Sequence, residues 1–192
     1  LQNVTFTTRL ASVNGISDSS QFNDIITTAV REGDSVGGII ECCVKGIKPT
    51  LGEPFFDSVE SIISHLLFSI PGVKGVEFGD GFAGSAKRGS ERNDAIIDAL
   101  GTTQTNNEGG INGGITNGND IIVRVAIKPT PSIASTQQTV NKSGEDIDIE
   151  IHGRHDPCIV HRAAAVVNAC TSIAILDIIT TRDGNAPRNK KI

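Results

Sequence analysis

The sequence predicts an α+β fold, in which helices cover a β-sheet. Three observations carry this prediction. Apolar residues recur at helical spacing between residues 54 and 70 and define one buried face. A β-branched run at Ile121–Lys128 and an alternating run at Ile147–Ile151 each have the pattern of a strand. With 192 residues and 38% hydrophobic content, the chain can form one domain with its own core.

The first part of the chain predicts a helix followed by a strand. Residues 20 to 32 carry the polar and apolar mixture of a surface helix, which Gly33-Asp34 ends. Ser35–Val44 has the composition of a strand. Gly37 and Gly38 lie inside it, where their missing side chains would permit the close approach of a neighbouring backbone.

The clearest predicted helix opens at Pro54 and ends at Pro71-Gly72. Its predicted buried face consists of the apolar residues at helical spacing, namely Val59, Ile62, Ile63, Leu66 and Ile70. The opposite face carries polar residues, namely Ser58, Ser61, His65 and Ser69. His65 is therefore predicted to be a solvated surface histidine.

The rest of the chain predicts further strands and a closing helix. Val73–Phe78 is a strand, and a glycine-rich, charged region extends from it to about residue 118. Ile121–Lys128 is a strong strand that Pro129-Thr-Pro131 stops. The alternation in Ile147–Ile151 indicates a strand with one wet face. The final helix is predicted from about Cys158 to Thr180, and residues 182–192 form a polar tail.

Composition excludes several classes of protein. The net charge of −5, with no basic stripe, disfavours a nucleic-acid partner. Polar residues interrupt the apolar stretch Ala163–Ile179, which predicts a buried helix rather than a membrane span. Cys42, Cys43, Cys158 and Cys170 show no metal or disulfide spacing and fit a reducing, cytoplasmic location. No secretory signal opens the chain, and because it begins at Leu1 we expect it to be part of a longer protein.

The pentad Gly153-Arg-His-Asp-Pro157 is the most informative short motif. Arg154 and Asp156 are two residues apart, so an extended segment would present both side chains on one face. Arginine offers a donor fork for phosphate or carboxylate, and aspartate can orient an N–H group or take a proton. The alternative is structural: Asp156 caps a helix N-terminus and Pro157 occupies its first position.

Two other patterns have a stronger structural interpretation. Gly79-Asp-Gly81-Phe-Ala-Gly84 matches a dinucleotide-binding fingerprint after a predicted strand. The polar, glycine-broken sequence that follows does not open the helix which that fingerprint needs. Four residues near the pentad could ligate a metal, but they lack a carboxylate pair or a second cysteine cluster, so no metal site is predicted: His152, His155, Cys158 and His161.

Two loops could bind an anion. Residues 109–118, which include Gly113, form a dense glycine loop whose backbone N–H groups could wrap an anion, or which could be a set of turns. The loop lacks the Gly-Lys-Ser/Thr ending of a phosphate loop. Lys128-Pro-Thr-Pro-Ser132 offers an amine and two hydroxyls at a strand end. It could hold the ribityl phosphate of a flavin or merely terminate the strand.

Together, these segments resemble one family, the chorismate synthases. The similarity lies in the order and spacing of matching runs over nearly all of the chain from about residue 30, while residues 1–30 match weakly. The runs are Gly33–Gly38, Leu51–Pro54, Ser69–Phe82, Thr105–Gly114, Lys128–Ser132, Gln137–Thr139 and Gly153–Cys158.

The resemblance implies the C-terminal part of a single domain with a β-α-β sandwich fold, in a subunit that forms a homotetramer. It implies a lyase that converts 5-enolpyruvylshikimate 3-phosphate to chorismate and phosphate by 1,4-elimination, with reduced FMN. NADPH enters only if the protein reduces its own flavin. The family's catalytic histidines and phosphate-binding arginines lie in an N-terminal half that is absent from this sequence. The chain alone is therefore expected to be inactive, and a truncated flavin-binding or structural module is the alternative.

The resemblance also assigns roles by position. Arg154 would lie between flavin and substrate, and Asp156 near the flavin N5, where it would tune or relay a proton. The flavin contacts would be Pro71, Gly72, Gly113, Lys128, Pro129, Thr130, Pro131, Ser132 and Arg154. Pro131 departs from the family, which commonly has a small hydroxyl residue there. Asn107, Glu108 and Asn112 depart in the glycine loop.

Overall fold

The computed structural model describes residues 3–185, and it confirms the predicted α+β fold. Its elements in chain order are β1 (Thr5–Val13), α1 (Phe22–Arg31), β2 (Gly38–Lys45), α2 (Val59–Phe68), β3 (Val73–Phe78), α3 (Gly81–Gly84), α4 (Gly89–Arg92), β4 (Ile111–Asn112), β5 (Ile115–Thr116), β6 (Ile121–Ile127), β7 (Gln137–Val140), β8 (Asp146–Ile149) and α5 (Val160–Asn185). The main sheet has the order β1-β2-β6-β3, and every neighbouring pair is antiparallel.

One face of this sheet forms the core with α2 and α5. Burial alternates along the two central strands, as expected when one face is covered and the other is not. In β6 the fully or nearly fully buried residues are Ile121, Val123, Val125 and Ile127, and in β2 they are Ile40, Cys42 and Val44. The predicted strands at β2, β3 and β6 are therefore confirmed, with β2 starting three residues later than the predicted Ser35.

The other face of the sheet carries a row of alternating charges across all four strands. Arg9 pairs with Glu41, Glu41 with Arg124, and Glu77 with Arg124 in the strand register. Ion pairs of 2.7 Å (Arg9 to Glu41) and 2.9 Å (Arg124 to Glu77) join the outer pairs. Opposite charges on cross-strand neighbours favour this register.

Helix α2 begins at Val59, so the predicted start at Pro54 is wrong. Residues 53 to 57 form a tight turn in which the backbones of Glu53 and Asp57 bond each other in both directions. The Ser58 side chain then caps the helix by accepting from the Ser61 N–H at 3.1 Å. A serine cap competes well with a proline start because it satisfies a free backbone donor. The prediction that His65 is exposed is confirmed.

The strand predicted at Ile147–Ile151 is present as β8. The prediction that only one of its faces is exposed to solvent is wrong. β8 pairs only with β7, and all four of its residues are exposed. Ile147 and Ile149 each keep 40% of their surface exposed. Alternation indicates an extended strand, but a buried face also needs a covering layer, and the described part of the chain supplies none here.

Helix α5 packs against α2, β1 and β2 along one face. By length and composition, Val160–Arg182 could also cross a membrane, and it is the one such helix within residues 3–185; 39% of its most apolar window is buried. Its opposite face exposes Val166, Ile173 and Leu176. The helix continues into the predicted polar tail, and residues 186–192 lie outside the described residues.

The glycine-rich region after β3 is held in shape by hydrogen bonds to the part-buried Asp94 carboxylate. The Asp94 carboxylate accepts from the backbone N–H groups of Asn107 and Glu108 at 2.8 and 2.9 Å, and from the Thr105 hydroxyl at 2.6 Å. Partial burial acts to raise the pKa of Asp94, but these hydrogen bonds outweigh it and hold the pKa below its ordinary value. Asp94 thus joins the 94–108 segment into one unit.

This arrangement predicts acid sensitivity of the 94–108 segment. Because the folded-state pKa of Asp94 is below the unfolded value of about 4, its stabilisation is fully present above that value. It is lost as the pH falls through the lower folded pKa. In the intact protein we expect Asp94→Asn to reduce amide-exchange protection of Asn107 and Glu108 about tenfold at pH 6. Wild-type protection should fall towards the mutant level below about pH 4.

Hydrogen exchange between pH 3 and 6 measures this effect. The matched control is Asp146→Asn, since Asp146 lies exposed in β8 with no side-chain hydrogen bond among those the structure describes. Equal protection of the 94–108 segment in Asp94→Asn and wild-type protein at pH 6 would contradict the prediction.

Candidate active site

Two of the predicted flavin-binding segments meet at one end of the main sheet. Gly72 directly precedes β3, and Lys128 directly follows β6. Because these strands are antiparallel neighbours, with Val73 opposite Ile127, the two segments are brought together. The Lys128 N–H donates to the Gly72 carbonyl at 2.9 Å. The segment 128–132 is called the lysine loop below.

A third segment, residues 33–37, fixes the lysine loop and is called the anchor segment. Its Ser35 hydroxyl, in a residue only 9% exposed, donates to the Thr130 carbonyl at 2.6 Å. Gly33 accepts from the Ala134 N–H at 2.9 Å. A Cβ on Gly37 would lie 2.4 Å from the Ile127 carbonyl oxygen. The sequence suggested this close approach, and the structure confirms it.

The anchor segment also holds the pentad. The Val36 N–H donates to the Pro157 carbonyl at 2.8 Å. On the other side, the Ile159 side chain packs over Gly72, where an added Cβ would lie 3.3 Å away. The lysine loop, Pro71-Gly72 and the pentad therefore form one cluster, although they are far apart in sequence.

Within the pentad, the Asp156 side chain is fixed by bonds to neighbouring residues, whereas the Arg154 side chain is not. The Asp156 Oδ1 atom accepts from the Cys158 N–H at 3.1 Å, and its Oδ2 atom forms an ion pair with the Arg162 Nη2 atom. Arg154 is exposed and has no hydrogen bond or ion pair to the described residues. Helix α5 begins at Val160, so the alternative in which Asp156 caps it is wrong. Asp156 instead closes a short turn before the helix.

Comparison with known proteins identifies the family. The sequence profile described as chorismate synthase matches residues 7–180. The chain belongs to the chorismate synthase family. The chorismate synthase of Chitinophaga pinensis is 51% identical over 171 residues, which are 88% of this chain and 51% of that protein. That of Korarchaeum cryptofilum is 51% identical over 157 residues, covering 80% of this chain and 44% of its own length.

The comparison also bears on fold and length. A crystal structure of chorismate synthase matches with a TM-score of 0.75 at 24% identity, over 94% of this chain and 58% of that one. At this identity the likeness supports the fold alone. The chain spans about half the length of the relatives named above. The profile match includes residues 7–30, where the motifs matched weakly.

One hydroxyl in the lysine loop is available to a ligand, such as the FMN that the resemblance implies. The Thr130 Oγ1 atom is buried but has no hydrogen-bond partner among the described residues. Buried hydroxyls are normally satisfied, so a lone one indicates a missing partner. Lys128 and Pro131 in the same loop are exposed, and Ser132 is half-buried. An amine and two hydroxyls at this position suit the phosphate of FMN.

Gly113, the remaining predicted flavin contact, lies elsewhere in this chain. It forms the turn between β4 and β5, and the neighbouring Gly114 carbonyl accepts from the Val59 N–H at the start of α2. Gly72 follows the other end of α2. Ten residues of helix span about 15 Å, so Gly113 and Gly72 are separated by roughly that length. No hydrogen bond within residues 3–185 joins them.

The space beside the glycines of the dinucleotide-like fingerprint is filled by other parts of the protein. A Cβ on Gly79 would lie 2.0 Å from the Asn107 carbonyl oxygen, and one on Gly81 would lie 2.2 Å from the Glu77 carboxylate. The following helix, α3, has only four residues. These glycines allow close packing between β3 and the 107–109 loop, which leaves no cradle for a pyrophosphate.

The histidines and cysteines near the pentad are dispersed. His155 bonds the Ile151 carbonyl at 2.6 Å, while His152 and His161 are exposed. Cys158 is 6% exposed, and burial raises the pKa of its thiol. Burial likewise raises the pKa of Cys42 to about 11, so both act as buried thiols. No group of three or more His, Cys, Asp or Glu side chains within residues 3–185 could hold a metal ion.

Electrostatics determines which side of the cluster an anion can approach. A cavity of about 420 Å³ adjoins the anchor segment and α1. Its lining includes the carboxylates of Asp24, Glu32 and Asp34, which disfavour a phosphate there. Lys128 and Arg154 are exposed on the other segments of the cluster. The side formed by the lysine loop and the pentad is therefore the one suited to anions.

Sequence reasoning missed Ser35 and Arg162 as parts of this site. Ser35 lay inside the matching run Gly33–Gly38, but a serine hydroxyl has no signature that reveals a partner 95 residues away. Arg162 did have a weak local signal. A basic residue in the first turn of a helix opposes the helix dipole, which can indicate a functional role.

Ser35 provides a test of the anchor segment. Ser35→Ala in the intact protein removes the part-buried hydrogen bond to the Thr130 carbonyl, and the loss of such a bond costs about 0.5–1.5 kcal/mol. We expect a loss of that size in the free energy of unfolding and a weaker affinity for FMN, measured by denaturant titration and flavin fluorescence. Ser90→Ala, at an exposed serine in α4, is the matched control. Unchanged FMN affinity in Ser35→Ala would contradict the proposed link between the anchor and the flavin.

Proposed function

We propose that this chain is the flavin-binding part of a chorismate synthase. The intact enzyme would convert 5-enolpyruvylshikimate 3-phosphate to chorismate and phosphate in aromatic amino acid biosynthesis. Family membership supports the lyase activity. The observation that carries the assignment to these residues is the anchor segment, which bonds the lysine loop through Ser35 and the pentad through Val36 at 2.6 and 2.8 Å.

The chemistry of each group suggests its role. Reduced FMN, when bound, would supply electron density as the C–O bond of the substrate breaks and would accept the hydrogen that is lost. Lys128 would attract the flavin phosphate, and the Thr130 hydroxyl, which has no partner among the described residues, would donate a hydrogen bond to it. Arg154 is free to orient an anion through two parallel hydrogen bonds, a geometry that lysine cannot offer. Asp156 would hold or relay a proton at the flavin site.

The remaining requirements concern the rest of the protein. A pocket for two polyanionic ligands needs a positive field, yet this chain has a net charge of −5. The other half of the polypeptide would supply the substrate-binding arginines and catalytic histidines. Gly113, distant from Gly72 within one chain, could reach a flavin held by another subunit of a homotetramer. The four free cysteines support a cytoplasmic location. NADPH would be needed only if the protein reduces its own flavin.

The test is chorismate formation by the product of the intact gene. The assay contains 5-enolpyruvylshikimate 3-phosphate and chemically reduced FMN under anaerobic conditions, and the 192-residue chain alone is run beside it. We expect product from the intact protein only. No product from the intact protein, with FMN bound, would contradict the lyase and leave a flavin-binding module without catalysis. Product from the short chain would contradict the requirement for the other half.

A further inference from the structure

The proposed site contains a second arginine, Arg162, which no motif assigned. Its Nη2 atom forms an ion pair with the Asp156 Oδ2 atom, while the Cys158 N–H holds the Oδ1 atom at 3.1 Å. Both carboxylate oxygens thus have a partner in the residues that follow the pentad. Two fixed donors on two oxygens define the rotation of the carboxylate as well as its position.

The placement of Arg162 is locally unfavourable. It lies in the first turn of α5, where the free N–H groups and the helix dipole favour acidic residues, and this turn has none. The side chain is also 75% exposed, so it contributes little packing to the core. A residue that opposes a local preference without a packing gain is expected to serve a site. The contact it makes is with Asp156.

The ion pair between Arg162 and Asp156 also accounts for the lack of a bond between Asp156 and Arg154. Arg154 is two residues from Asp156, so its guanidinium is a near competitor for the carboxylate. With Oδ2 occupied by Arg162 and Oδ1 by the Cys158 N–H, Asp156 has less capacity to bind Arg154. Arg154 accordingly makes no hydrogen bond or ion pair to the residues that the structure describes and remains open to an anion.

We propose that Arg162 is a positioning residue, which orients the Asp156 carboxylate and keeps it from capturing Arg154. This inference rests on the proposed function. Without Arg162, the carboxylate would turn towards Arg154 and both groups would leave their working positions. The effect would be moderate rather than total, because an exposed ion pair is weakened by solvent and salt.

The experiment is a double-mutant cycle in the intact enzyme, with kcat and KM for the substrate and the Kd for FMN measured separately. Arg162→Ala should lower kcat/KM about five- to thirty-fold and weaken FMN binding. Arg162→Lys should restore most of both, since a single N–H to Oδ2 suffices. In an Asp156→Asn background, Arg162→Ala should change kcat/KM less than about twofold. Arg31→Ala, at an exposed arginine of α1, is the matched control.

The outcomes separate this inference from the proposed function. Wild-type rates in Arg162→Ala beside a severe loss in Asp156→Asn would overturn the positioning role and leave the lyase assignment intact. A loss of equal size in both backgrounds would show that Arg162 acts elsewhere, which also overturns the inference. Wild-type rates in Asp156→Asn would instead overturn the catalytic role proposed for Asp156.

Discussion

Arg154→Ala and Asp156→Asn in the intact protein are each expected to reduce kcat/KM by about 10²- to 10⁴-fold. Arg154 would lose its charge and its bidentate contact with an anion, while Asp156 would lose the ability to hold a proton. Arg154→Lys keeps the charge without the fork and should give an intermediate rate. The measurement is steady-state chorismate formation with reduced FMN.

These losses should occur without loss of the fold. Arg154 is exposed and makes no side-chain hydrogen bond or ion pair within residues 3–185, so Arg154→Ala should leave the thermal unfolding midpoint unchanged. His152→Ala, at an exposed neighbour two residues earlier, is the control and should keep wild-type rates. Rates near wild type in both Arg154→Ala and Asp156→Asn would remove the two residues from the mechanism.

Gly37→Ala is expected to damage both the stability and the cofactor site. The new Cβ would lie 2.4 Å from the Ile127 carbonyl oxygen and 3.0 Å from the Pro129 nitrogen. Backbone atoms cannot move aside as a flexible side chain can, so the anchor segment must separate from the end of β6 and from the lysine loop. Overpacking of this kind costs about 1–3 kcal/mol. Because the anchor segment holds the lysine loop, the affinity for FMN should fall with it.

Denaturant unfolding and FMN titration of the intact protein measure the two effects of Gly37→Ala. Gly89→Ala is the matched control, since a Cβ there meets nothing within 4 Å and its backbone is not left-handed. We expect the control to bind FMN as the wild type does. Wild-type stability and affinity in Gly37→Ala would show that the close approach of the two backbones is not required.

Much of the fold follows from local patterns. The boundaries of β3 were predicted to the residue, and β6 differed by one, because glycine and proline mark their ends. The start of α2 was wrong by five residues, since Pro54 and Ser58 are both good helix starters and only packing selects between them. β8 was extended as predicted, but its alternation could not reveal that no layer covers it.

Part of the site was also predictable from local sequence patterns. The sequence indicated the lysine loop, Pro71-Gly72 and the pentad, because their residue types suit a flavin and an anion and because their order resembles one family. The functional roles of these residues remain predictions. The sequence left open whether Asp156 caps a helix, and the structure shows a separate turn whose carboxylate binds Arg162.

The sequence by itself therefore determined the family, the α+β class and the main elements, since these depend on composition, periodicity and motif spacing along the chain. Only the tertiary structure decided which motifs meet. Ser35 bonds the Thr130 carbonyl across 95 residues, and Val36 bonds Pro157 across a still longer separation. Such contacts arise from the antiparallel order of the sheet and the packing of α5 upon it. No local pattern encodes them, because a hydrogen bond between distant segments depends on the whole fold.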